Sequence, residues 1–198
     1  MSPKIVLLNG PPGCGKDFAG KTIEIELFVA DRPRVRIVKF AESVKVGTHA
    51  AHELYHSNGS PLPHDQFEDS KDQPIDWFFG KTPRAAYIAF SEAFMKPLHG
   101  PRIFGQLLLR SIRFSQEADV YVVTDSGFRE EAEVLVEHFG AGNCFLARIH
   151  REGKTFDGDS RNWVYLDDLG VTSLDVDNPG NPEGLRGALA PVLEWIRK

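Results

Sequence analysis

Gly10-Pro11-Pro12-Gly13-Cys14-Gly15-Lys16-Asp17 follows the apolar run Ile5-Val6-Leu7-Leu8 and leads directly into a helix-like pattern. A strand that ends in glycines lets successive backbone N–H groups turn inward around a phosphate, while the next helix aims its positive end at the same anion. Lys16 adds a point charge that can follow a phosphoryl group in transfer. The stretch fits G-x-x-x-x-G-K-[ST] except at its last position, where Asp17 stands in place of the hydroxyl residue that usually touches magnesium. A carboxylate there can still hold Mg2+, directly or through water, because hard cations prefer oxygen ligands. The competing reading is a glycine-rich turn that binds nothing. Pattern and setting together favour a phosphate loop.

The 198 residues suit one domain, 1–198, with a continuous core. Hydrophobic residues make up 41% and charged residues 26%, an ordinary balance for a globular chain. The formal net charge of −5 gives no general attraction to nucleic acid or to an anionic membrane. Two cysteines, Cys14 and Cys144, offer neither a disulfide framework nor zinc spacing. A reducing cytoplasm is the expected compartment. No apolar run approaches a bilayer span and the N-terminus carries no signal-peptide pattern, so no membrane partner is expected.

Apolar, β-branched runs recur at 5–8, 35–40, 120–124, 144–149 and 173–176, separated by helix-like stretches at 15–30, 42–55, 83–95, 103–117, 129–139 and 182–197. Such alternation predicts an α/β fold whose parallel strands are covered on both faces. Residues 57–76, full of Pro, Gly, Asp and Ser, read as a surface insertion on the acceptor side, or as a plain solvated loop. Residues 151–163 follow a strand at the place where a mobile lid would close over a triphosphate.

The strand Val120-Tyr121-Val122-Val123-Thr124-Asp125 ends in an acid. At such a strand end Asp125 is suited to order a metal's water shell, or simply to cap the helix beginning near Phe128. Arginines are the next candidates, since guanidinium forks stabilise the charge that spreads over a transferring phosphoryl group. Arg151 and Arg161 flank the expected lid, with Lys154 between them, and join Lys16 and Asp125 as candidate catalytic residues. Arg84, the Arg110/Arg113 pair at i,i+3 spacing, and Arg129 are candidate acceptor-binding residues; each also reads as a solvated helix face. His49, His52 and His56 lack the pattern of a metal-binding helix and read as structural. Trp77-Phe78-Phe79 reads as packing rather than a base-stacking platform. Lys16 is expected to be a solvent-accessible loop residue whose loss spares the fold.

These motifs resemble the bacteriophage deoxynucleoside monophosphate kinase-like group of phosphate-loop kinases. The resemblance spans nearly the whole chain. It rests on Gly15-Lys16-Asp17, on Lys39-Phe40-Ala41-Glu42 to Lys45, on Thr82-Pro83-Arg84, on Thr124-Asp125 leading to Glu130/Glu131-Ala132-Glu133, and on the Asp177-Asn178-Pro179-Gly180 turn. It implies a five-stranded parallel sheet with helices on both faces, ATP and Mg2+ as cofactors, and γ-phosphate transfer to a deoxynucleotide. Gly10, Pro11, Pro12, Gly13, Cys14, Gly15, Lys16 and Asp17 would bind ATP, with Asp17 and Asp125 near the metal. Members acting on free nucleotides often read Asp-x-Arg-Phe, where this chain reads Asp125-Ser126-Gly127-Phe128. In size and in this glycine the chain is more similar to the phage 5-hydroxymethyluracil DNA kinases, which phosphorylate a hydroxymethyl group on a base already in DNA. Modified DNA is then the expected acceptor, with Asp125 as the candidate base; a free deoxynucleoside monophosphate is the alternative. A nucleotide-binding regulatory module that hydrolyses ATP slowly is a third reading.

Overall fold

The computed structural model describes residues 2–28, 33–63, 65–115 and 117–198. Five parallel strands form one sheet: β1 (Lys4–Asn9), β2 (Val35–Val38), β3 (Val120–Ser126), β4 (Cys144–His150) and β5 (Thr172–Asp177), in the order β2-β3-β1-β4-β5. The helices are α1 (Lys16–Leu27), α2 (Ala41–Ala51), α3 (Pro83–Ile88), α4 (Lys96–His99), α5 (Ile103–Ser115), α6 (Arg129–Phe139), α7 (Pro182–Ala188) and α8 (Ala190–Arg197).

The strand period of two sorts side chains to opposite faces. Ile5, Leu7, Tyr121, Val123, Cys144 and Leu146 pack under α2, α5 and α6. Val6, Leu8, Val122, Phe145, Ala147 and Ile149 pack under α1, α7 and α8. The expected α/β fold, a five-stranded parallel sheet with helices on both faces, is therefore present. The strand order reverses around β1, so the loop after β1 sits at the switch point where open parallel sheets bind ligands.

Several boundaries differ from expectation. β2 ends at Val38 rather than at residue 40, because the N–H groups of Phe40 and Ala41 are taken by the Asp125 carboxylate and the chain turns there into α2. α2 stops at Ala51 rather than at residue 55: Glu53 adopts a left-handed φ of 54°, and Leu54 N–H closes back on His49 O. The predicted helix 83–95 continues to His99 through a π-helical stretch, Ala89–Met95. Pro97, which has no N–H and would crowd the fourth carbonyl before it, comes directly after this wider turn. The predicted helix 182–197 is two, α7 and α8, because Pro191 interrupts it. α1 is described only to Leu27, and the expected end at Ala30 lies outside the described residues.

Residues 57–76 are more than a solvated loop. Leu62 and Phe67 join Leu54 and Phe78 in a small separate core against α2 and α3, with Ile75 and Tyr87 beside it; His64 lies outside the described residues. Trp77-Phe78-Phe79 divides: Phe78 is buried, while Trp77 and Phe79 are exposed. His49 is buried among Phe67, Phe78 and Tyr87, and His52 Nδ1 pairs with Thr48 O, so both serve packing.

Candidate active site

The phosphate loop is built from the end of β1 and the start of α1. Gly15 is the residue before the helix, in a left-handed conformation and with no side-chain cap, which leaves the first-turn amides at 16–18 without intrahelical partners. A side chain at Gly15 would also run into Asn178 Nδ2. Asn178 braces the loop from the far end of the chain: Nδ2 donates to Cys14 O (2.7 Å), its N–H to His150 O (2.7 Å), and its Oδ1 accepts from Gly180 N–H (2.9 Å). Arg151 Nη1 donates to Gly13 O (3.3 Å). Lys154 lies over Gly13.

Lys16 is buried, contrary to the expectation of a solvent-accessible loop residue. As the first residue of α1 it folds back beneath the loop, where Nζ donates to Gly10 O (2.5 Å) and Pro11 O (2.8 Å) and lies 3.6 Å from Cys14 Sγ. Burial pulls its pKa below the ordinary value. The carbonyls of Gly10, Pro11, Gly13 and Cys14 are thus bound to protein donors, which leaves the amides of the first helical turn as the groups of the loop suited to an anion.

At the carboxyl end of β3, the β1–β3 register passes from Leu7↔Val123 to Asn9↔Ser126, so Thr124 and Asp125 together stand opposite Leu8. Bulges of this kind re-aim strand-end side chains. Asp125 accepts from Phe40 N–H and Ala41 N–H, each at 2.9 Å, and so caps α2; α6 starts at Phe128 without a side-chain cap. Burial pushes the Asp125 carboxyl up, opposed by those two amides and by Lys39 and Arg161. Thr124 Oγ1 donates to Asp17 Oδ1 (3.0 Å), and Lys39 Nζ pairs with the same oxygen at 2.7 Å. Burial would raise the Asp17 carboxyl, but Lys39, Thr124 and Lys16 outweigh it and hold it below its ordinary value.

The donor set suits a hard cation. Asp17, Thr124 and Asp125 supply oxygen atoms, and the Lys39 ammonium already stands as a cation on Asp17. Among the described residues no group of three or more His, Cys, Asp or Glu side chains is placed to hold a metal alone. Phosphate oxygens and water would complete such a shell.

Arg161 crosses this edge. Its Nε and Nη2 donate to the two Asp159 oxygens (2.8 and 2.7 Å), and its aliphatic stem lies against Gly127, where an added Cβ would stand 2.6–2.7 Å from Cβ, Cγ and Cδ of Arg161. Arg84 is paired with Asp72 through Nε and Nη2, and no direct contact joins it to Arg161 among the described residues. Lys45, paired with Glu68, feels both Lys39 and Asp125.

Arg110 and Arg113 are not brought to this edge. They are exposed on the later turns of α5, which ends at Ser115 beside Tyr121 near the start of β3, where the strands begin. They line a separate cavity of about 470 Å³ with Gln106 and Phe114. Arg129 is also engaged elsewhere: Glu133, Asp168 and Tyr165 O take its donors. A cavity of about 400 Å³ adjoins the phosphate loop, lined by His150, Arg151, Lys154, Trp163, Asn178 and Pro179. The His150 and Trp163 rings stack there with centroids 4.2 Å apart.

Two residues of the site went unread in the sequence. Asn9 is buried and binds Ser126 O, Asn162 O and Val164 N–H. Glu131 stands out in the sequence only as part of a motif, yet it is 3% exposed and its carboxyl is pushed up to about 8, by burial first and by Asp125 next. Asparagine ahead of the loop glycine and one acid among four in 130–137 carry no local mark of either role. Among the described residues no helix is long and apolar enough to cross a membrane.

No family model matches the chain, and no curated protein matches it. Among solved structures, it is similar over 98% of its length to a sugar kinase from Janibacter sp. HTCC2649 (12% identity, 95% of that chain, TM-score 0.46). A gluconokinase from Sinorhizobium meliloti 1021 (13% identity, 95% of that chain, TM-score 0.43) is similar over the same share of this chain. So is a shikimate kinase from Bacteroides thetaiotaomicron (10% identity, 99% of that chain, TM-score 0.44).

Proposed function

We propose that the chain is an ATP-dependent phosphotransferase whose acceptor is the hydroxymethyl group of 5-hydroxymethyluracil in DNA. The observation that carries the phosphotransferase reading is the phosphate loop itself: unpartnered helix amides, a buried Lys16 at its base and carbonyls held away by Asn178 and Arg151. The 16–18 amides would hold the ATP triphosphate, and the cavity beside the His150–Trp163 stack would take its adenine. Mg2+, when bound, neutralises charge on the phosphates, with Asp17, steadied by Thr124, and Asp125 as its protein-side oxygens.

Asp125 takes the proton of the acceptor hydroxyl. The freed oxygen forms its bond to the γ-phosphorus as the bond from that phosphorus to the β-bridging oxygen breaks, and ADP leaves with the electron pair. Lys16 and Arg161 balance the charge that spreads over the phosphoryl oxygens. The DNA acceptor rests on the resemblance at Asp125-Ser126-Gly127. A second reading is transfer to a free deoxynucleoside monophosphate, whose phosphate Arg84 would bind in exchange for its partner Asp72.

Mass spectrometry after incubation with ATP and hydroxymethyluracil DNA, unmodified DNA or free deoxynucleotides tests both. Phosphorylation of the modified DNA alone supports the first reading; diphosphate formation with DNA inert replaces it with the second. Asp125→Asn adds a check on chemistry. A hydroxyl acceptor needs a base and should lose about 10²–10⁴-fold in turnover.

A further inference from the structure

The segment 151–163 is held very differently at its two ends. Its leading part, 151–155, is exposed, and its tie to the phosphate loop is the long Arg151–Gly13 hydrogen bond. Its trailing part is fastened to the sheet. Asn9 Nδ2 donates to Ser126 O (2.7 Å) and Asn162 O (3.0 Å), Asn9 Oδ1 accepts from Val164 N–H (3.1 Å), and Asn162 N–H donates to Gly127 O (3.1 Å). The Asn9 amide thus meets both donor and acceptor needs in a buried setting, where leaving any of these groups unpaired is costly. Between the two parts, Asp159 grips Arg161 through Nε, Nη2 and the backbone N–H, and the bare backbone of Gly127 gives the arginine stem room to lie flat.

We propose that Asn9 is a positioning residue that fastens the trailing arm to the ends of β1 and β3, so that Arg161 stands across Gly127 before any nucleotide arrives. Closure over the triphosphate belongs to the leading arm, with Arg151 and Lys154. This rests on the phosphotransferase reading only for its consequence in catalysis; the tether itself is a property of the resting chain. Arg161 then reaches the acceptor edge without waiting for the loop to move, so it incurs no ordering cost when substrate binds.

Two substitutions separate the tether from its effect. Asn9→Ala frees the arm, whereas Gly127→Ala leaves Asn9 untouched and drives the Arg161 stem aside. Amide hydrogen exchange on the full chain, with and without a non-hydrolysable ATP analogue, is the direct readout. In the unsubstituted chain the Asn162 and Val164 amides should be slow without nucleotide and unchanged by the analogue, while amides at 151–158 slow on its addition. Asn9→Ala should speed Val164, whose amide it leaves without an acceptor, by about tenfold or more with β1 and β4 amides unaltered, and Gly127→Ala should leave Val164 slow.

In turnover, both substitutions should lower kcat by about 10–100-fold with little change in KM for ATP, and Asn9→Ala should add almost nothing in an Arg161→Ala background. Analogue-induced slowing at Asn162 and Val164 as large as at 151–158, or an Asn9→Ala loss that persists in full without Arg161, would overturn the proposal. If no acceptor is phosphorylated at all, the phosphotransferase reading fails, and the exchange pattern still decides the tether.

Discussion

Lys16 anchors the loop in addition to the catalytic role proposed for it, because its ammonium joins the Gly10 and Pro11 carbonyls from below. Lys16→Ala should therefore do more than silence catalysis. Turnover should drop by about a hundredfold or more, and unfolding in urea should register a loss of about 1–2 kcal/mol as the loop carbonyls lose their donor. Glu131 carries a pH signature of its own. Burial, reinforced by Asp125, raises its carboxyl from 4.5 to about 8 in the folded chain, so the folded state binds the extra proton between those two values. Its contribution to stability is whole below pH 4.5 and is lost as the pH climbs to 8. Glu131→Gln should match the unsubstituted chain near pH 5 and exceed it by roughly 2–4 kcal/mol at pH 8.5, measured by urea unfolding at both values.

The elements were legible where a local rule governs them. The run 129–139, from Arg129 to the residue before Gly140, was read to its ends because a C-terminal glycine punctuates it. α2 was overrun, since Glu53 is no ordinary left-handed residue and only the closing bond from Leu54 N–H to His49 O shows why the helix stops. That strain is removable: Glu53→Gly should raise stability by about 0.5–1 kcal/mol, seen as a higher Tm, because glycine accepts a positive φ freely. The loop Gly10 to Asp17 was readable because its chemistry lies in consecutive residues. Asn9 was not, since its partners lie 117 to 155 residues away and nothing near it in the chain signals them. Asp125 was read as a site residue, but the helix it caps is α2, 84 residues earlier, rather than the one that follows it.

Across the whole molecule the apolar residues divide into two faces of the sheet and a third, smaller cluster around Phe78. The separation predicts selective damage. Phe78→Ala should cost about 3–5 kcal/mol in this small cluster and, on the proposed reading, raise KM for the acceptor, while affinity for an ATP analogue, measured by fluorescence titration, stays close to that of the unsubstituted chain. The phosphate loop depends on the other two faces, and on Asn178, which reaches back 164 residues to Cys14 O. Synthesis runs from the N-terminus, so the ribosome releases the glycine turn long before the asparagine that shapes it. The nascent polypeptide consequently spends most of its time in translation with this turn unbraced, and the bond to Cys14 O can close only once β5 and the asparagine after it have emerged.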